Sequence, residues 1–176
     1  MKEQLLKLIP EFSEIKDSEL KDKTLNAFVM ALEKGGWKPE DLDKIPFTLL
    51  IENVEVSFLK HTRAVTQISM GAANGLSNVL GDVVPINYDY LISGAILHDV
   101  GKLLEYKFEN GKYSKSHCGD LLRHPFSGVQ MATLAGLPDE ISHIIAVHSR
   151  EGAKVKRTTE ACILHHADFT SFEPLK

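Results

Sequence analysis

The segment YLISGAILHD, residues 90–99, constrains the fold more than any other part of the sequence. Its residues are apolar on nearly every side of a helix, and a helix of that kind lies buried at the centre of a protein. Gly101 follows it and can end it, because glycine is favoured just beyond the last turn of a helix. The sequence therefore predicts a central helix whose last turn carries His98 and Asp99.

The rest of the chain also shows helical spacing of its apolar residues, so the predicted fold class is all-α, a single-domain helical bundle. Prolines, glycines and capping residues divide this pattern and predict further helices at about residues 5–9, 18–34, 54–80, 121–135, 138–148 and 158–169. In YKFENGKYS, Asn110-Gly111 predicts a small β-hairpin near residues 105–115. Residues 1–52 are predicted to form an N-terminal helical extension on residues 53–176, which carry the candidate chemistry.

Histidine and aspartate recur along five successive predicted helices. The set comprises His61, His98, Asp99, His124, His148 and Asp168. Imidazole nitrogen and carboxylate oxygen bind divalent transition metals, and the facing helices of a bundle can bring such side chains together in its core. These donors are more than one tetrahedral ion takes. The set therefore predicts two octahedral ions that share a bridging carboxylate.

The stretch LISGAILHDVGK, together with His61 and Asp168, resembles the central motif of the HD-domain superfamily of metal-dependent phosphohydrolases. The resemblance covers about residues 55–172. It implies an all-α bundle of the HD type, and it makes residues 53–176 the metal-binding domain.

The resemblance also implies how the ligands divide between the two ions. The first ion would be bound by His61, His98, Asp99 and Asp168. RHPFSG and IIAVHSREG are similar to the additional motifs of members that hold a second metal. By that likeness His124 and His148 would bind the second ion, with Asp99 as the bridge.

The sequence departs from the branch of this superfamily that cleaves cyclic dinucleotides. Ser149 stands where that branch has the second histidine of a pair, and no GYP motif follows. Bis-(3′-5′)-cyclic-dimeric GMP is therefore not the expected substrate. The signalling branch that has lost its metal ligands is also a poor match, because all the ligands are present here.

A dinuclear centre of this composition would attract anions, because two divalent ions carry more positive charge than two carboxylates neutralise. It would also lower the pKa of a bound water, which could then attack phosphorus in line. Lys102, just beyond the HD doublet, is a candidate to hold the phosphate or to protonate the leaving oxygen. Arg63, Arg123 and Arg150 each lie within two residues of a predicted ligand and are candidates to bind an anionic group.

The leading hypothesis is a metal-dependent phosphohydrolase that acts on a phosphate ester or a nucleotide-like substrate. A second hypothesis is a di-iron oxygenase of the same superfamily, similar to inositol oxygenase, because that chemistry uses the same ligands. A third is a nucleotide-sensing binding module. The cofactor is predicted to be a divalent transition metal, with two ions of iron, manganese, nickel, cobalt or zinc.

Charge and hydropathy bear on partners and location. Lys and Arg total 20 against 24 for Asp and Glu, which argues against duplex nucleic acid as a partner. No uncharged apolar run approaches the roughly 18 residues that a membrane span needs. The first residues, MKEQLLKLIP, carry charges where a signal peptide is apolar. We therefore expect no membrane span and a cytoplasmic location.

Overall fold

The computed structural model describes residues 1–51 and 54–176, and helices dominate it. The helices are α1 (Lys2–Leu8), α2 (Ser18–Gly35), α3 (Phe58–Leu80), α4 (Tyr88–Leu97), α5 (Lys102–Glu105), α6 (His117–Leu121), α7 (His124–Leu134), α8 (Asp139–Val147) and α9 (Thr159–Phe172). The strands β1 (Tyr106–Glu109) and β2 (Lys112–Lys115) form one antiparallel hairpin. The all-α fold class and the hairpin are confirmed. Within the described ranges, none of the helices combines the length and apolar character that crossing a membrane requires.

Capping residues set several helix boundaries where the sequence predicts them. The side chain of Asp17 accepts a hydrogen bond at the start of α2, and Gly36 ends that helix with a φ of 74°. Asn87 caps α4 and Thr158 caps α9 in the same way as Asp17 caps α2. Each side chain accepts a hydrogen bond from a backbone N–H that the first helical turn leaves without a partner.

Three predicted boundaries were wrong. Helix α3 begins at Phe58 rather than near Val54, because Ser57 caps it. Helix α4 ends at Leu97, so the HD doublet lies in the turn after the helix rather than in its last turn. The helix predicted at about 121–135 begins at His124 instead, and the short helix α6 precedes it and ends at Leu121.

Helix α4 lies at the centre of the fold, as its composition predicts. Every residue from Leu91 to Leu97 is buried, and α2, α3, α8 and α9 all pack against this helix. The N-terminal segment contributes to the same hydrophobic core. Phe28 meets both Phe12 and Phe58 edge to face, with ring centroids 6.3 and 6.2 Å apart. The predicted boundary between residues 52 and 53 lies outside the described residues.

Gly101 allows the start of α5 to approach the start of α7. A Cβ atom at this position would lie 2.0 Å from the carbonyl oxygen of His124 and 2.7 Å from the amide nitrogen of Gly128. Both of these atoms belong to the backbone and cannot move aside as a side chain could. The absence of a side chain therefore lets the segment after the HD doublet pack on α7.

We expect Gly101→Ala to destabilise the fold by about 2 to 3 kcal/mol, because the added methyl group forces two backbone segments apart. Gly71→Ala on α3 is the matched control, since a Cβ there meets nothing within 4 Å. Alanine at that helical position should be neutral or stabilising by up to about 1 kcal/mol. Urea unfolding of both variants measures the difference. Equal stability of the two variants would contradict this account of the α5–α7 contact.

Candidate metal centre

The structure brings the six predicted ligands together at one end of the bundle. His61 lies on α3, the HD doublet follows α4, His124 begins α7, His148 follows α8 and Asp168 lies on α9. The four histidines and Asp99 are buried, and the side chain of Asp168 is 16% exposed. Helices α3, α7, α8 and α9, together with the turn after α4, therefore bring a compact group of nitrogen and oxygen donors together.

Asp99 divides this group into two clusters that share its carboxylate. In the first cluster, Oδ2 of Asp99 lies 3.4 Å from Nε2 of His61 and 3.4 Å from Nε2 of His98. In the second cluster, Oδ1 of Asp99 lies 3.3 Å from Nε2 of His124 and 3.7 Å from Nε2 of His148. The donor atoms within each cluster lie within 4.8 Å of one another, close enough to hold a metal ion.

The outer nitrogens of two histidines face backbone carbonyls. Nδ1 of His98 lies 2.7 Å from the oxygen of Ala95, and Nδ1 of His148 lies 2.7 Å from the oxygen of Ile145. A carbonyl oxygen can only accept a hydrogen bond, so Nδ1 carries the proton in both rings. In the neutral ring, the lone pair is then on Nε2, which points to the centre.

The other two histidines have side-chain partners at Nδ1. Nδ1 of His124 lies 3.1 Å from a carboxylate oxygen of Glu105, which again assigns the proton to Nδ1. Nδ1 of His61 lies 3.1 Å from the hydroxyl of Ser171, which can donate or accept. Nε2 of His61 also lies 3.1 Å from Asp168, which joins this carboxylate to the first cluster.

The second cluster contains two imidazole lone pairs that a bound cation would stabilise. Nε2 of His124 and Nε2 of His148 are 3.2 Å apart. Burial lowers the pKa of His124 to about 4 in spite of its acidic neighbours, so this ring is neutral at pH 7. With both protons on Nδ1, two lone pairs face each other beside a carboxylate oxygen. This donor set fits a divalent transition metal.

Both carboxylates of the centre are ionised, although Asp99 is buried and Asp168 is only partly exposed. Burial alone would raise the pKa of Asp99, but the charge of the Lys102 ammonium holds it well below its ordinary value. Burial likewise opposes the ionisation of Asp168, but the hydrogen bond from His61 lowers its pKa to about 2. Burial would lower the pKa of His61, and the two carboxylates raise it instead. The centre therefore attracts positive charge.

Lys102 lies at the edge of the centre. Its ammonium group donates hydrogen bonds to Oδ2 of Asp99 at 2.6 Å and to the carbonyl oxygen of Phe47 at 2.7 Å. Burial disfavours its charge, but Asp99 raises the pKa of Lys102 above its ordinary value. The structure thus places a partly buried cation beside the predicted bridging carboxylate.

A cavity of about 530 Å³ opens onto this centre, and two of the three predicted arginines line it. Arg150 lies on its wall, as does Arg123, whose Nε donates to Glu151 at 3.0 Å. Arg63 does not line the cavity, because its Nε donates to the buried carboxylate of Glu11 at 3.1 Å. The structure therefore does not bring Arg63 to the place that its predicted role requires.

Several residues around the centre carry no signal in the sequence. Glu105 and Ser171 contact Nδ1 of predicted ligands, and Phe47, Phe169 and Phe172 line the cavity. A glutamate in a short helix and a serine near the end of a long one are common on protein surfaces. Their positions became evident only from tertiary packing.

A family model described as HD domain matches residues 58–172. A protein named dihydroneopterin 2′,3′-cyclic phosphate phosphodiesterase, from Methanocaldococcus jannaschii, is 33% identical to the chain over 116 residues. That match covers 65% of this chain and 45% of the relative, so the chain spans less than half of the relative's length. No solved structure matches the chain significantly.

We expect the metal-free protein at pH 8 to hold His98 and His148 as the tautomer with the proton on Nδ1, because each Nδ1 faces a carbonyl oxygen. Long-range ¹H–¹⁵N correlation spectra distinguish the two tautomers. Exposed His117 and His166 are the controls, since water leaves both of their tautomers accessible. A proton on Nε2 of His98 or His148 would contradict the assignment.

Proposed function

The chain belongs to the HD domain family, and from that premise we propose that it is a metal-dependent phosphohydrolase acting on a small phosphorylated, nucleotide-like substrate. The observation that carries the proposal is the pair of histidine clusters that share Asp99 beneath a cavity with cationic side chains. The name of the archaeal relative, a phosphodiesterase, supports hydrolysis of a phosphate ester.

In this proposal the donors divide between two divalent transition metals, of which iron, manganese, nickel, cobalt and zinc all accept such ligands. The first ion would be bound by His61, His98, Asp99 and Asp168, and the second by Asp99, His124 and His148. Ions held there would supply Lewis-acid polarisation of a phosphoryl group and a lowered pKa for water. Each ligand lies on or beside a helix of the core, which keeps the donor atoms in place.

The chain's own cations would hold the phosphate. The Lys102 ammonium lies 2.6 Å from Asp99, so a phosphate near the centre is within its reach. Lys102 could also donate a proton to the leaving oxygen. Arg150 and Lys115 line the cavity farther out, where positive charge would attract an anionic substrate. These residues bind and orient the ester and stabilise the charge that develops on its oxygens.

Part of the cavity suits a planar apolar group. Phe169 and Phe172 line it, together with Leu49 and Ile51. The buried ring of Phe47 borders the cavity beside the centre, where it packs against His61 with centroids 4.6 Å apart. The rings of Phe47 and Phe172 meet edge to face with centroids 5.8 Å apart. Aromatic rings bind planar heteroaromatic groups by stacking. This wall supports a nucleotide-like substrate, with the phosphate on the cationic side and the ring system on the aromatic side.

The proposal also divides the chain into two parts, which meet between residues 52 and 53. Residues 1–52 would form the N-terminal helical extension, and residues 53–176 the metal-binding domain. On this division the extension supplies Phe47 and the segment 48–51 to the cavity wall. The extension would therefore help to select the substrate, while the second part would hold the ions.

Metal analysis of protein purified without chelators tests the centre. We expect about two ions per chain in the wild type and about one in His124→Ala, which loses a ligand of the second ion only. Asp99→Ala removes the shared carboxylate, so it should hold neither ion and lose at least about 10³-fold in phosphate-ester hydrolysis. His117→Ala, a change of an exposed histidine, should match the wild type. An Asp99→Ala variant that hydrolyses esters at the wild-type rate would refute the proposal.

A substrate panel tests the aromatic wall. The panel compares 2′,3′-cyclic nucleotides and aryl phosphates with alkyl phosphates, each measured for KM and kcat. We expect Phe172→Ala to raise KM for the planar substrates about 5- to 30-fold, because a stacking contact is lost. KM for alkyl phosphates should change little. Phe126→Ala, an exposed phenylalanine outside the cavity, is the control. An equal change for all substrates would contradict the assignment of this wall.

A further inference from the structure

A buried carboxylate stands behind the second cluster. Glu105 is the last residue of α5, and only 3% of its surface is exposed. Its Oε2 accepts two hydrogen bonds from His124, from the backbone N–H at 2.8 Å and from Nδ1 at 3.1 Å. Its Oε1 lies 3.5 Å from the guanidinium of Arg123. One side chain therefore fixes both the backbone and the ring of His124.

The backbone contact supplies a cap that α7 does not provide for itself. Arg123 precedes the helix and makes no side-chain capping hydrogen bond. The carboxylate of Glu105 takes the N–H of His124, which has no partner within the helix. A negative charge at this position is also favoured by the helix dipole. The helix that carries the ligand is thus anchored by the group that orients the ligand.

The partner of His124 differs from the partners of the other three histidines. Nδ1 of His98 and Nδ1 of His148 face neutral carbonyl oxygens, and Nδ1 of His61 faces the hydroxyl of Ser171. A carboxylate is the stronger acceptor because it is charged. It draws the Nδ1 proton and so raises the electron density at Nε2, which makes the ring a better metal donor.

The hairpin and α6 hold Glu105 in place. The carbonyl oxygen of Glu105 accepts the N–H of Ser116, at the end of the hairpin, at 2.8 Å. Gly119 on α6 packs against the same residue, where a Cβ would lie 2.3 Å from the oxygen and 2.9 Å from Cγ of Glu105. The chain that leaves α5 as a hairpin thus returns and packs against the end of α5. This contact gives the hairpin and α6 a structural role at the centre.

We propose that Glu105 is a positioning residue for the second ion. It holds His124 as the tautomer with the proton on Nδ1 and strengthens Nε2 as a donor. The affinity of the Asp99, His124 and His148 cluster for its ion therefore depends on Glu105, although Glu105 is not itself a ligand. This inference rests on the proposed function.

Calorimetric titration of the metal-free protein with Mn²⁺ tests this inference. Glu105→Gln keeps the size of the side chain and one acceptor oxygen but removes the charge. We expect it to weaken the second Mn²⁺ site about 10- to 100-fold and the first by less than about 3-fold. Ser171→Ala is the matched control, because it removes the Nδ1 partner of His61 in the first cluster. It should leave the second site unchanged.

The possible results separate this inference from the proposed function. A wild-type protein that binds no second Mn²⁺ overturns the dinuclear centre and this inference together. A wild-type protein that binds two, with a Glu105→Gln variant that binds both as tightly, overturns the inference alone. Equal weakening of both sites also overturns it, because a general structural defect would act in that way.

One measurement needs no variant and covers the case in which Glu105→Gln does not fold. Long-range ¹H–¹⁵N spectra of the metal-free wild type at pH 8 should show the proton of His124 on Nδ1, as the contact with Glu105 requires. A His124 ring with its proton on Nε2 overturns the inference.

Discussion

The ionised carboxylate of Asp99 is the constraint on which the rest of the structure depends. A buried charge is stable only when other groups compensate for it. Here the ammonium of Lys102 lies 2.6 Å from one oxygen. Metal ions held between Asp99 and the histidine nitrogens that face its two oxygens would supply further positive charge. The central helix α4 ends just before Asp99, and Lys102 begins α5. Helices α3 and α7 and the end of α8 bring the other histidines to the same carboxylate. A shift of any of these helices would take one of these groups away from Asp99.

The position of His124 relative to Asp99 depends on contacts that α5 makes with α7, not only on the ligands themselves. Gly101, two residues after the shared carboxylate, lets α5 meet the start of α7. That contact brings His124 to 3.3 Å from Asp99. Glu105, at the other end of α5, then takes both hydrogen-bond donors of His124. The short segment between the HD doublet and the hairpin therefore orients the second cluster.

The sequence predicted the all-α fold and the hairpin, because their signals are local: apolar residues recur at helical spacing, and Asn110-Gly111 is a strong turn signal. The six candidate ligands were predicted from their order along successive helices and from the resemblance of LISGAILHDVGK to HD domains, and the structure brings them together. The outer partners carry no such signal. Ser171 is 110 positions from His61, and Glu105 is 19 from His124, so only packing makes them neighbours. Arg63 was predicted to bind an anionic group because it lies two residues from His61 in the sequence. Its pairing with Glu11, 52 positions away, is evident only from the packing.

The metal-binding residues and the aromatic wall of the cavity come from different parts of the chain. Residues 98–148 supply the shared carboxylate and three of the histidines, whereas the aromatic wall comes from Phe47 and from Phe169 and Phe172 near the chain's end. The Nδ1 contacts of His98, His124 and His148 already orient these three rings without the aromatic residues. Phe47 differs, because its ring packs against that of His61 with centroids 4.6 Å apart. Substitutions of Phe169 or Phe172 would therefore alter the shape of the cavity while these donor atoms stay in place. Under the proposed function, this separation would let one centre serve different phosphate esters within a single fold.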